Sequence, residues 1–283
     1  MISIYIPTLG RLEKQTTWNQ LPTDLQLHTS LVCQPEEKSR HIEQARNVLV
    51  CKEKGIANVR QWLCDYRGLQ AGEKKIIMTD DDQYFYRRVR ITEPALRKCE
   101  EKDMFDMFDM IEKLLDDYPL VGVSSRQGND AYLGIRVGAR KNYERQPGLA
   151  FNKRTCNMYG VRTDILHQHG IRFNEVQLME DMNVTLSLIK LGYDIPLVTE
   201  FAWNQESSGV KGGCSSYRNF ETQKQAAIKL AELHKPFVTV IKKKSKDKSD
   251  LNWKSVGKER FDVRVDWTSA VAAGKQSNTP GFL

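Results

Sequence analysis

Residues 74–82 read KKIIMTDDD, an apolar run without alternation that ends in three consecutive aspartates. That uniform character marks a strand covered on both faces, so the stretch is read as a buried strand of a parallel sheet. The triple aspartate then sits at its carboxyl end. Open α/β sheets bind ligands in the crevice beyond the carboxyl ends of their strands, where these side chains meet whatever arrives. On an extended chain Asp80 and Asp82 point the same way and Asp81 the other. Hard oxygen donors so placed suit Mg²⁺ or Mn²⁺ held together with substrate phosphates. An acidic turn closing a strand is the plainer alternative. Against it, three mutually repelling carboxylates beside a core strand are costly unless something positive neutralises them.

The neighbouring sequence alternates between strand and helix patterns. ISIYIP (2–7) and LHTSLVC (27–33) read as strands, with helix or turn between them. SRHIEQARNVLVCKEKG (39–55) places Ile42, Ala45 and Val48 or Leu49 at helical spacing, with Ser39 as cap and Gly55 as stop, and predicts a helix. NVRQWLCDYRGLQAG (58–72) predicts another. DMFDMFDMIEKLLDDYP (103–119) carries an apolar face of Met104, Met107, Phe108, Ile111, Leu114 and Leu115, and leads into the strand LVGVSS (120–125). After an irregular, arginine-rich stretch (126–154) come a strand and short helix (156–170). The loop ending in Met179-Glu180-Asp181 opens a helix that stops at Gly192. Acidic residues in a first helical turn complement the dipole, which is reason enough for Glu180 and Asp181. Beside the triple aspartate they also read as a general base.

With 283 residues, 40% of them hydrophobic, the chain has the makings of a sizeable core. No apolar run approaches the roughly 18 residues of a membrane span. The apolar opening is cut short by Pro7, Gly10 and Arg11, so a soluble cytoplasmic protein without a membrane partner is expected. The six cysteines are scattered with no CxxC pair, which argues for reduced thiols and against a zinc site. Of the net charge of +7, the stretch from Lys235 onward carries eleven Lys and Arg against five Asp and Glu, and so +6. A basic tail favours a polyanion, though KKKSKDK (242–248) also reads as a solvated linker. RFDVRVDW (260–267) alternates strictly and predicts a strand docked on the body. If it docks, Lys242, Lys243 and Lys244 are held near the cleft to grip a DNA backbone. The closing KQSNTPGFL is expected to be disordered.

YIPTLGR (5–11), IEQARN (42–47), IIMTDDD (76–82) and MED (179–181) follow one another in an order that resembles glycosyltransferases of the GT-A fold. More narrowly the chain resembles the phage-type DNA glycosyltransferases associated with TET/JBP oxygenases, which attach sugars to hydroxymethylated pyrimidines. The resemblance covers about residues 1–240. It implies an α/β fold with a Rossmann-like mixed sheet flanked by helices over 1–240, followed by a basic C-terminal extension over 241–283 with one strand. It also implies a nucleotide diphosphate sugar, a UDP-sugar foremost, as co-substrate, and Mn²⁺ or Mg²⁺. By that similarity Asp80 contacts donor hydroxyls and the metal, Asp82 coordinates the metal and Asp81 supports them. Thr8 and Arg11 border the nucleotide, and Arg46 and Asn47 lie beside the donor. Asp181, with Glu180 as second choice, takes the proton from the acceptor hydroxyl if the enzyme inverts the anomeric centre. His234 is the candidate for a further metal ligand from the C-terminal region, with a surface histidine at a helix end as the alternative.

The glycine-rich segment from 206 predicts a mobile loop whose Lys211 and Arg218 close over the diphosphate, or an ordinary connector. His167 and His169 at a short helix end would point apart and receive no metal. Tyr132, Tyr143 and Phe151 with Arg136, Arg140 and Arg145 are candidates for the acceptor side. The expected partner is DNA carrying a hydroxymethylated pyrimidine, and the expected setting is a phage-infected bacterial cytoplasm. A glycan or protein acceptor remains an alternative, as does a metal-dependent nuclease or nucleotidyltransferase, which would use similar carboxylates and ignore sugar nucleotides.

Overall fold

Four parallel strands set the frame. In the computed structural model, which describes residues 1–90, 95–126, 148–205, 213, 218–244 and 259–277, these are β1 (Ser3–Pro7), β2 (Thr29–Cys33), β3 (Val48–Val50) and β4 (Lys75–Thr79), lying side by side in the order β3-β2-β1-β4. Helices α1 (Thr16–Gln20), α2 (Thr23–Leu27), α3 (Lys38–Ile42) and α4 (Ile56–Leu63) make the crossovers. Next along the chain are β5 (Gln83–Arg88), β6 (Leu96–Lys98), α5 (Glu101–Asp117), β7 (Leu120–Ser125), β8 (Leu149–Phe151), β9 (Met158–Arg162), α6 (Thr163–Gln168), α7 (Glu180–Lys190) and β10 (Pro196–Gln205). The sheet continues from β4 as β9-β7-β10-β5-β6, with β8 added on β10. β9 is antiparallel to β4 and β7, and β10 is parallel to β7, so β1, β2, β4, β7 and β10 all end at one edge. This is the mixed α/β sheet expected of a GT-A type protein.

Strand alternation assigns the two faces. Ile4 and Ile6 of β1 and Ile77 of β4 point to one side, where Trp18, Leu25, Met107, Phe108 and Ile111 cover them. Tyr5, Ile76 and Met78 point to the other, against Val59 and Leu63 of α4, Leu166 of α6 and Val184 and Leu188 of α7. Burying such side chains contributes about 1.5–3 kcal/mol each, which is why the uniformly apolar β4 lies inside a three-layer stack. α5 keeps its expected apolar face and is closed at its start by a capping box between Glu100 and Asp103.

Two expectations change. The helix predicted over 39–55 is the short α3 followed by β3, because the Val48-Leu49-Val50 run pairs with Leu31, Val32 and Cys33 and extends the sheet. The C-terminal part holds more than one strand. After α8 (Phe220–Leu233), β11 (Val238–Lys244) pairs antiparallel with β12 (Glu259–Val265), so a boundary at residue 240 falls inside β11. α9 (Trp267–Ser277) follows, and it takes in the first residues of the stretch expected to be disordered. Val238, Val263 and Ala270 are buried in the face shared by α7 and α8, and Phe261 meets Phe220 edge-on at 5.5 Å between ring centroids. No described helix is long and apolar enough to cross a membrane.

α9 crosses α7 at a glycine. A Cβ on Gly274 would lie 2.0 Å from the carbonyl oxygen of Ile189, a backbone atom that cannot turn aside. Gly274→Ala is therefore expected to destabilise the protein by about 1–3 kcal/mol in chemical denaturation. Ala272→Ser, at an exposed position of the same helix, should stay within about 0.5 kcal/mol.

Candidate active site

The aspartates follow β4 as a turn whose backbone is pinned on two sides. Asp80 N–H donates to Asn157 O at 3.0 Å, while Thr17 donates its hydroxyl to Asp80 O at 2.6 Å and its N–H to Asp81 O at 3.1 Å. Because the chain turns here, strict alternation lapses, and Asp80 and Asp82 do not converge on a common partner. Asp81 is buried against the loop after β1, accepting from Thr8 Oγ1 at 2.7 Å and Arg11 Nη1 at 2.5 Å. The same Nη1 lies 2.8 Å from Asp82 Oδ2. Gln15 fixes this loop by donating to Thr8 Oγ1 and to Arg11 O. Asp80 turns the other way, its Oδ1 2.7 Å from Arg60 Nη2.

Arg60 joins the two acidic motifs. It is buried on α4, its guanidinium lies 5.3 Å from the centroid of the Tyr159 ring, and its Nη1 donates to Glu180 Oε1. Met179, in the left-handed region at φ 66°, turns the chain into α7, so that Glu180 and Asp181 occupy the first turn where the helix dipole favours negative charge. Asp181 accepts from Met182 N–H at 2.8 Å and has no ion-pair partner within 4.0 Å among the described residues. Desolvation works against the charge of Arg154, and Asp181, Cys156, Asp262 and Glu180 sustain it. β12, through Asp262, is thus near enough to act electrostatically on this end of the site.

Loss of hydration raises Asp80 to about 7, with Arg60 pulling it down and Asp82, Asp81 and Asp181 pushing it up. Burial likewise raises Glu180 to about 7 against Arg60, and Asp81 to about 6 against Arg11 and Thr8. The Cys156 thiol is pushed up to about 12 by burial, which leaves it neutral and a poor nucleophile at physiological pH.

The structure thus brings Thr8, Arg11, Asp80, Asp81, Asp82, Glu180 and Asp181 to one sheet edge. Asn47 is not with them. It precedes the edge strand β3, three strands from β4, and its amide donates to Leu27 O and Thr29 O at the start of β2; Arg46 stands between it and Gln44, whose amide donates to Leu12 O in the loop after β1. His234 is also corrected: it is buried, its Nε2 lies 2.8 Å from Asn183 Oδ1, and burial together with Lys190 lowers it to about 4. It is a neutral tie between α8 and α7. Lys243 pairs with Asp262 at 2.7 Å and Lys242 lies 5.7 Å from the Phe261 ring centroid, so β12 holds both. Lys244 ends β11, and Arg218 precedes the Asn219 cap of α8. Lys211 lies outside the described residues, as do Tyr132, Tyr143, Arg136, Arg140 and Arg145; Phe151 packs on Tyr118. Gly213, at φ +60°, donates its N–H to Leu9 O at 2.8 Å, and a Cβ there would stand 3.3 Å from Arg11 Nη2.

Among the described residues no three His, Cys, Asp or Glu side chains gather as a metal-binding group. Asp80 and Asp82 keep 29% and 18% of their side-chain surface exposed and offer hard oxygens. Each is held by a different arginine and the two face apart, so they do not form a joint metal site; Asp82 by itself offers a hard oxygen of the kind Mg²⁺ or Mn²⁺ shares with a ligand's phosphates. Arg60 escaped the sequence reading, yet it left a signal. Ile56, Val59, Arg60 and Leu63 share one helical stripe, and a cation in an apolar stripe requires a buried anion.

The sequence model of the family described as TET-Associated Glycosyltransferase matches residues 2–213. No curated protein sequence matches the chain. Among solved structures, residues 1–349 of S. aureus TarS align with a TM-score of 0.45 at 12% identity, over 81% of this chain and 64% of that one. The chain therefore spans less than two thirds of that length. A Thermus thermophilus protein described as mannose-1-phosphate geranyltransferase gives 0.44 at 9% identity, over 72% and 75%. A197 from STIV gives 0.40 at 11%, over 74% and 87%.

The raised carboxyls make a signed prediction. Asp80 binds its proton more tightly in the folded chain than in the unfolded one, where aspartate titrates near about 3.9. Its contribution to stability is full below that value and is lost as pH rises through about 7. The melting temperature of Asp80→Asn minus that of the wild type should climb between pH 5 and 8. A difference that stays level across this range would show that Asp80 is not desolvated.

Proposed function

The chain belongs to the TET-associated glycosyltransferase family, and from that premise we propose that it transfers a sugar from a nucleotide diphosphate sugar, a UDP-sugar, to the hydroxymethyl group of a modified pyrimidine in DNA. Its setting on this reading is the cytoplasm of a phage-infected bacterium. The observation that carries the proposal is the meeting of two acidic motifs, about a hundred residues apart in sequence, at one sheet edge beside two arginines. Glycosyl transfer needs both halves: a region that neutralises a departing diphosphate, and a carboxylate that accepts the acceptor's proton.

The residues divide between these tasks. Thr8 and Arg11 border the nucleotide, and Arg11 supplies positive charge where the diphosphate separates from the sugar. Asp82 would hold Mg²⁺ or Mn²⁺ together with the donor's phosphates, which when bound adds charge stabilisation of the leaving group, and Asp80 would face the donor's hydroxyls. Glu180 is engaged by Arg60, which leaves Asp181 as the base. It takes the proton of the hydroxymethyl group as that oxygen attacks the anomeric carbon. The carbon–oxygen bond to the diphosphate breaks as the new one forms, so the product is inverted. On the acceptor side, Lys242 and Lys243 stand on the β11–β12 hairpin, which packs through Val263 into the core shared with α7, and on this reading they contact the DNA backbone.

The test incubates the protein and Mn²⁺ with a panel of sugar nucleotides and either unmodified or 5-hydroxymethylcytosine DNA, then weighs the digested nucleosides. A hexose-sized gain on the modified base alone is expected. Strand cleavage without a gain, or transfer to unmodified DNA, would reject the reading. Asp82→Ala should cut transfer at least a hundredfold with the melting curve unchanged, since Arg11 retains Asp81 as a partner. Lys242→Ala with Lys243→Ala should weaken DNA binding and flatten its dependence on salt by up to about two units of the log–log slope.

A further inference from the structure

Arg60 has no role in the transfer described above, yet its surroundings are those of a part held to a fixed shape. Its two terminal nitrogens serve two carboxylates from distant segments, Nη2 to Asp80 at 2.7 Å and Nη1 to Glu180. The Tyr159 ring lies 5.3 Å from the guanidinium, within cation–π reach, and Tyr159 is itself stacked on Phe173 at 6.0 Å. Planar geometry matters here, because a guanidinium fork sets the separation and direction of two anions and an ammonium point charge does not. Glu180 and Asp181 are consecutive in the first turn of α7, so whatever positions Glu180 also positions Asp181.

We infer that Arg60 is a positioning residue of the transfer reaction, a rigid joint that holds the donor-side Asp80 and the base-bearing first turn of α7 at a fixed separation. The inference rests on the proposed assignment of Asp181 as base. Apart from Asp80, donor binding draws on a separate network: Thr8, Arg11, Asp81 and Asp82 hold one another without Arg60. Loss of the joint therefore misplaces the base relative to the anomeric carbon and leaves most of the donor contacts standing. A displacement of about 1 Å is enough to cost about a hundredfold in rate.

The experiment compares the wild type with Arg60→Lys, which keeps the charge and loses the fork, and with Arg60→Ala supplemented with guanidinium or, at equal ionic strength, ammonium. The joint predicts that Arg60→Lys lowers kcat about a hundredfold with KM for the nucleotide sugar within about threefold. It also predicts that guanidinium restores kcat to Arg60→Ala where ammonium does not. A folded Arg60→Lys with wild-type kcat, or one that raises KM alone, overturns the inference while the active wild type leaves the proposed function standing. If Arg60→Ala fails to fold, the kcat and KM of Arg60→Lys decide the matter. A wild type that moves no sugar from any nucleotide overturns the proposed function and this inference together.

Discussion

Five carboxylates meet at one edge of a buried sheet, and two arginines hold four of them in place. Arg11 takes Asp81 and Asp82, and Arg60 takes Asp80 and Glu180. Neither guanidinium is freely solvated, and stripping either of its partners leaves a charge in a medium that penalises it by several kcal/mol. The arrangement is costly for stability, and Asp80, Asp81 and Glu180, all raised by desolvation, register that cost. Sites that must stabilise charge in a departing group commonly carry such concentrated, oriented charge.

The fold exists to bring those groups to one place. Parallel pairing of β1 and β4 sets Pro7 and Thr79 at the same edge, so the loop bearing Thr8 and Arg11 meets the triple aspartate. α4, packed through Val59 and Leu63, aims Arg60 from the face that also carries α7. β9 runs against β4 and places Tyr159 between them, opposite Met78. Each of these segments is secured by apolar burial, which leaves the polar network to specify geometry.

Much of this was legible in the sequence because it depends on local pattern. The unbroken apolar run of β4, the face of α5 and the acidic start of α7 are all set by residues close in the chain. What escaped depended on partners distant in the chain. β3 took the helical-looking segment at 39–55 because β2 offered an unpaired edge, and propensity cannot see an edge. Asn47 moved away from the site with it. The alternation that would have joined Asp80 to Asp82 holds only along an extended strand, and the backbone turns at Asp81. His234 looked exposed because its helix ends there, but α7 covers that end and Asn183 meets its ring.

The C-terminal part gains its meaning from α7. Its first turn carries Glu180 and Asp181, its middle holds His234 through Asn183, and near its end Lys190 Nζ donates to Leu233 O at 3.0 Å. Just before that, Gly274 lets α9 close directly on Ile189. α8, the β11–β12 hairpin and α9 are thus fastened to the helix that begins at the acidic site. The basic hairpin is consequently held in register with that helix and does not hang from a free linker. Positive charge fixed relative to a carboxylate can align a polyanion with it, whereas the same lysines on an untethered tail would only raise the polyanion's local concentration.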